Sequence, residues 1–211
     1  MKAFRHVLIG IIIFIPGLMK GGSLFVNELI KEKSVQQDRR ALVQRIYLAE
    51  LGVREKTGRN DGSRVEEYLR YVKLKKGNPW CAAFVCWVLG KARVENPRTG
   101  WSPGLFTKRR ICWQRTEAAG LKYAAQRSRA ASFPKQGDVF GIWFPDKQRI
   151  AHVGFVDKWE DTWVTTVEGN TNEAGSREGD GVYRKRRLTR SVWQVASWIK
   201  EQGLRIKEEG G

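Results

Sequence analysis

Cysteine and histidine are scarce in this 211-residue chain, with three of the first and two of the second. The cysteines are too few for a disulfide scaffold and lack paired CxxC and HxxxH spacings, which excludes a zinc module of the usual kind. Acidic residues are also in deficit: 22 Asp and Glu against 39 Lys and Arg leave a net charge of +17. Internal repeats and low-complexity tracts are missing, so the solenoid and fibrous classes fall away. A hydrophobic fraction of 41% with nine Trp and nine Phe is incompatible with a disordered chain. What is left is one basic, aromatic-rich globular domain, long enough to fill a core.

Long apolar runs are rare as well, and the strongest is VLIGIIIFIPGL at residues 7–18, preceded by Lys2, Arg5 and His6. A basic stretch followed by about a dozen apolar residues is the pattern of a secretory leader. The run is shorter than the ~20 residues of a membrane-spanning helix, and Gly10, Pro16 and Gly17 weaken it further. The expected organisation is a signal peptide or signal anchor over 1–22, a linker over 23–33, one domain over 34–200 and a tail over 201–211. A secreted or periplasmic location follows, with a membrane tether if the leader stays uncleaved. Gly21, Gly22 and Ser23 are the nearest small residues and no A-x-A stands there, so both outcomes stay open. Losing Lys2, Arg5 and Lys20 with the leader leaves about +14, enough to draw the domain to polyanionic surfaces.

Apolar residues at Val35, Leu42, Val43, Ile46, Leu48, Ala49 and Leu51 predict an amphipathic helix over 34–51, stopped near Gly52. TGRNDG at 57–62 is a turn, and Ser63-x-x-Glu66 reads as a capping box opening a short helix through Val65, Tyr68, Leu69 and Val72. WCAAFVCWVLGKA is a buried helix with Pro79 at or just before its first turn. Residues 94–107 are loop-like, and a further helix is expected over 108–119. Beyond Pro134 the pattern predicts strands at 138–144, 151–157, 162–167, 181–188 and 192–199. Helices first and antiparallel strands after them are the order of an α+β domain.

Cys81 stands where a loop enters the buried helix, and the free N–H groups there stabilise a thiolate. Lys73, Lys75 and Lys76 just upstream push the same way. A small buried hydrophobe is the competing reading. His6 lies in the leader, so an imidazole base in the domain has to be His152; a structural histidine is the alternative. Glu168 and Asn170 end a strand and share one of its sides, because strand side chains alternate. Either could orient His152 in a Cys-His triad, or the pair is an ordinary polar turn.

NPWCAAFVCWVL, GDVFGIW, AHVGFV and VEGNT, in that order, resemble the CHAP domains, amidohydrolase and peptidase modules related to NlpC/P60 and papain-like enzymes. The similarity runs over roughly residues 42–199. It implies a papain-like α+β fold with N-terminal helices packed on an antiparallel sheet. It also implies a cell-wall (peptidoglycan) hydrolase that cuts peptide bonds or the link between muramic acid and L-alanine. Cys81 matches the nucleophile, His152 the base, Glu168 the third catalytic position, and Asn170 a further polar position used in some members. Trp80 departs from the Gln that many members carry before the Cys, so oxyanion binding rests on the Cys81 backbone N–H. Asn60, Asp61 and Ser63 offer too few oxygen ligands for the calcium loop of some phage members, and neither metal nor cofactor is expected.

Peptidoglycan and other anionic envelope polymers are the expected partners. The runs at 108–110 and 184–187 are either contacts for them or solvated basic faces, and Trp143 and Trp163 either line a groove or belong to the core. Cys86 and Cys112 pair in an oxidising compartment or remain free. A catalytically silent wall-binding module on the same fold is the alternative function. Charge alone suggests a nucleic-acid binder, but no motif accompanies it and no specific nucleic acid is expected.

Overall fold

The computed structural model describes residues 18–115, 133–174 and 179–199. Three helices come first: α1 (Leu18–Ala49), α2 (Ser63–Tyr71) and α3 (Cys81–Lys91). Six strands follow: β1 (Ile111–Gln114), β2 (Val139–Phe144), β3 (Arg149–Trp159), β4 (Trp163–Thr171), β5 (Gly181–Leu188) and β6 (Gln194–Ala196). They form one antiparallel sheet in the order β1-β6-β2-β3-β4-β5. This is an α+β architecture in line with a CHAP domain.

Alternation along the strands builds two apolar faces. Val153, Phe155 and Val167 face the helices and join Phe84, Tyr47 and Leu89 in the main core. Phe140, Val156, Val164 and Val195 form a smaller cluster on the other face, with Trp113 and Trp159 packed against it. α3 is buried almost throughout, from Cys81 to Leu89, as expected of a helix apolar all round. α1 docks through Val43 and Tyr47, spaced on one side of the helix, with Glu50 buried just beyond its end. Polar clamps fix it to the sheet: Arg40 Nη1 lies 3.0 Å from Asp138 Oδ1, and Tyr47 donates to Asp157 Oδ1 at 2.8 Å.

Several expectations need correction. α1 begins far upstream of the predicted 34–51 helix, so residues 23–33 are helical and continuous with it. Ile30 and Val35 are exposed on α1, so the apolar face expected to begin at Val35 does not dock there. The capping box forms only in part. Gly62, at φ 109°, is the N-cap of α2, and Glu66 Oε1 accepts from the Gly62 N–H at 3.3 Å without any side-chain cap bond from the N-cap. The helix expected over 108–119 is replaced by β1, because Ile111–Gln114 pairs with β6 and Trp113 meets Trp159 at 5.1 Å; residues 116–119 lie outside the described segments, as do 1–17 of the expected leader and 200–211. Of the two states left open for Cys86 and Cys112, the structure has the unpaired one: both are free thiols, bonded to the carbonyls of Thr99 and Val195, both at 3.4 Å.

Candidate active site

The site is built from the start of α3 and the middle of the sheet. Pro79 cannot continue a helix backward, and Trp80 at the N-cap makes no side-chain bond to the first turn. The backbone N–H groups opening α3 therefore stay available, and Cys81 is the first helical residue, 4% exposed. Trp80 is fully buried, stacks on Tyr68 with ring centroids 5.6 Å apart, and donates its indole N–H to Glu55 Oε1 at 2.8 Å. That donor is spent on Glu55, so the residue replacing the usual Gln is a packing residue. Gly169 lets β4 approach: a Cβ there would stand 2.6 Å from Trp80 Cζ3 and 2.9 Å from Phe84 Cβ. The strand carrying Glu168 thus lies directly against the helix start carrying Cys81.

His152 projects from β3 and is 1% exposed, and Glu168 on β4 is fully buried. Gly154 keeps the two strands close, since a Cβ there would meet Glu168 Cγ at 2.9 Å. His152 Nε2 and Glu168 Oε2 are 2.8 Å apart. A carboxylate held ionised can only accept, so Nε2 carries a proton and Nδ1 is the nitrogen left for the thiol. Nδ1 is buried without a hydrogen-bond partner among the described residues, yet imidazole and thiol are near enough to shift each other's ionisation. Ser102 Oγ, from the 3-10 turn at Ser102–Leu105, stands 3.7 Å from Cys81 Sγ.

The electrostatics follow from these neighbours. Burial pushes the Cys81 thiol up, but the nearby His152 and its charge, with Ser102 and the Val153 backbone, outweigh it and hold the pKa below its ordinary value. Burial also opposes the His152 imidazolium, but Cys81 and Glu168 together push its pKa up to about 9. Glu168 loses solvation too, but Arg187 and His152 hold its carboxyl well below the usual carboxylate range. A thiol poised to ionise beside a protonated imidazole is the equipment for nucleophilic attack on a carbonyl.

Of the four residues singled out by sequence, Cys81, His152 and Glu168 meet at one point. Asn170, 1% exposed, sits where β4 departs from regular pairing: φ is 57° and the register shifts between Glu168 and Thr171. The simple alternation that put Glu168 and Asn170 on one side is interrupted there. Sequence reasoning missed three neighbours. Ser102 had no signal in its loop. Thr166, whose hydroxyl donates to Glu168 Oε1, was legible as the residue two before Glu168 on the same strand face. Arg187 was hidden in a run of four cations; its Nε and Nη2 reach the two oxygens of Glu168, both at 2.6 Å.

The rest of that run is spent internally as well: Arg184 pairs with Asp157, Lys185 bonds the carbonyls of Asn172 and Glu173, and Arg186 lies over the Trp163 ring. Among the described residues no group of three His, Cys, Asp or Glu is gathered as a metal site, and Asp61 is occupied by the Thr57 backbone and hydroxyl. No helix of the described residues is long and apolar enough to cross a membrane.

Comparison with known proteins agrees with this geometry. The family model of the CHAP domain matches residues 73–170, a span that runs from just before α3 to the end of β4 and includes Cys81, His152, Glu168 and Asn170. Neither the curated proteins nor the solved structures gave a match. CHAP domains are generally amidase or peptidase domains, and the family suggests a peptidoglycan hydrolase-like function. Residues 73–170 of this chain, with their helix-borne thiol and strand-borne imidazole, match the CHAP domain model and are consistent with a CHAP domain.

Proposed function

We propose that the protein is an exported cell-wall amide hydrolase that cleaves peptidoglycan through a thioester on Cys81. The observation that carries this reading is the convergence of a buried thiol at a helix start with a carboxylate-held imidazole, inside the family-matched segment. The Cys81 thiolate attacks the amide carbonyl, and the tetrahedral oxyanion is met by the Cys81 backbone N–H at the positive end of α3. The His152 imidazolium gives its proton to the departing amine. Neutral His152 then takes a proton from water, whose hydroxide attacks the thioester and releases the acid and the thiol. Glu168 keeps the imidazole in the tautomer that presents Nδ1 to the sulfur.

Substrate charge and export fit the same reading. Peptidoglycan stems are anionic, and the rim beside Ser102 carries Trp101, 54% exposed, with the Arg149 guanidinium 4.2 Å from its ring centre. The apolar run at 7–18 supports delivery to the envelope. The test is mass analysis of fragments released from purified peptidoglycan by the parent and by Cys81→Ala. Release of new amino or carboxyl ends by the parent alone supports the proposal. Retention on the wall without cleavage selects the silent binding module instead.

A further inference from the structure

We infer that Arg187 is a positioning residue of the site, acting through Glu168 to hold the His152 ring; the inference rests on the thiol–imidazole reading above. Glu168 has two oxygens, and the structure accounts for both. Oε1 accepts from the Thr166 hydroxyl and from Arg187 Nε at 2.6 Å. Oε2 accepts from Arg187 Nη2 at 2.6 Å and faces His152 Nε2 at 2.8 Å. The guanidinium fork thus lies along the carboxylate in the two-point manner that fixes its plane. A carboxylate bonded to an imidazole alone keeps rotational freedom about its last bond. One clamped by a fork and a hydroxyl has a single orientation, and that orientation points Oε2 at Nε2.

Burial makes the arrangement more than a surface ion pair. The Glu168 side chain is 0% exposed and that of Arg187 15% exposed, so water does not replace the fork if it is removed. The neighbouring cation does not replace it either, since the Lys185 ammonium is engaged by the carbonyls of Asn172 and Glu173. Positive, negative, positive and negative groups therefore alternate from Arg187 through Glu168 and His152 to the Cys81 thiolate. Arg187 touches neither thiol nor imidazole; its influence passes through the carboxylate.

The experiment uses the full chain, with Arg187→Met, Arg187→Lys and each combined with Glu168→Gln. The first readout needs no substrate: the His152 Nε2–H proton resonance and its protection from solvent exchange, with His6 the only other histidine in the chain. Arg187→Met should lose that protection and, with purified peptidoglycan, lower kcat about a hundredfold with little change in KM, the scale of a small misplacement of a reacting group. Arg187→Lys keeps the charge without the fork and should fall between parent and Arg187→Met; it also serves if the Met variant does not fold. On top of Glu168→Gln, loss of Arg187 should cost less than about twofold further, because the route to His152 is already broken. Parent-like protection and turnover in folded Arg187→Met, parent-like turnover in Arg187→Lys, or a full multiplicative loss in the double variant would each overturn the inference. Absence of hydrolysis by the parent would sink the enzymatic reading but leave the resonance test of Arg187 standing.

Discussion

His152 Nε2 lies 2.8 Å from Glu168 Oε2, and both side chains are sealed from solvent. In such a site a carboxylate stabilises an imidazolium more than an amide does, because little water screens the difference. Glu168→Gln should therefore lower turnover by roughly 10²–10⁴-fold, as loss of an orienting acid does in triads, with KM changed far less. Asn170→Ala should cost less at equal folded stability. Steady-state rates of both variants on purified peptidoglycan decide between them, and the reverse ranking would hand the orienting role to Asn170.

The three thiols should react in an order that exposure alone would not give. Cys112 is the most accessible, yet burial and Asp138 push its pKa up to about 12; burial pushes Cys86 up to about 11. Cys81 is more buried but is held below its ordinary value by His152. Since the thiolate is the reactive species, limited iodoacetamide at neutral pH followed by peptide mass mapping should show Cys81 labelled first. Labelling that begins at Cys112 would mean that access, not ionisation, governs the site. Cys81→Ser should abolish hydrolysis without lowering the melting temperature much, whereas Cys86→Ala leaves a gap in a fully buried cluster and should cost stability.

Much of this site was readable from local rules. Pro79 and the apolar run after it fix the start of α3, which singles out Cys81, and the count of two histidines leaves His152 as the domain's only imidazole. Strand 181–188 coincides with β5, because alternation and turn residues bound it on both sides. What failed depended on distant partners. The sequence KRRICWQRTEAA carries helix-forming residues, yet Ile111–Gln114 is a strand because β6, some eighty residues on, pairs with it. Arg187 looked like its three cationic neighbours, and only the register Val164 opposite Arg187 brings its guanidinium to Glu168. Exposure of Val35 reflects the same limit: helical period identifies a helix face but not how far the sheet extends beneath it.

Gly169 is the residue whose smallness holds the two halves of the site together. An added methyl would overlap the Trp80 ring edge and the Phe84 side chain, neither able to retreat from a filled core. Gly169→Ala should destabilise the fold by about 1–3 kcal/mol, the usual cost of overpacking, and shift the start of α3 away from β4. Turnover should then fall in the protein that remains folded, at temperatures well below its transition. Thermal melts paired with rates at low temperature separate the two effects; an unaltered melt would show that the contact is slack.

The acid–base limits of the site follow from the signs of its shifts. His152 has its pKa raised to about 9, above the ~6.5 of an unfolded histidine, so its contribution to stability is whole below ~6.5 and disappears as pH climbs through about 9. Glu168 is depressed, so its contribution is present above the unfolded carboxylate range and is lost only as pH falls through its lowered folded value. Turnover needs both a thiolate and an imidazolium. The lowered Cys81 pKa makes the first available at lower pH than an ordinary thiol would, and His152 withdraws the second above about 9. Activity should thus fall on the alkaline side, through about pH 9, in the interval where the melting temperature also declines. Replacing Glu168 by Gln removes the charge that supports the imidazolium, so the alkaline limb should move to lower pH by about one unit or more. Hydrolysis rates and thermal melts of parent and variant across the alkaline range check this; a limb that stays where it was in the parent would detach it from His152.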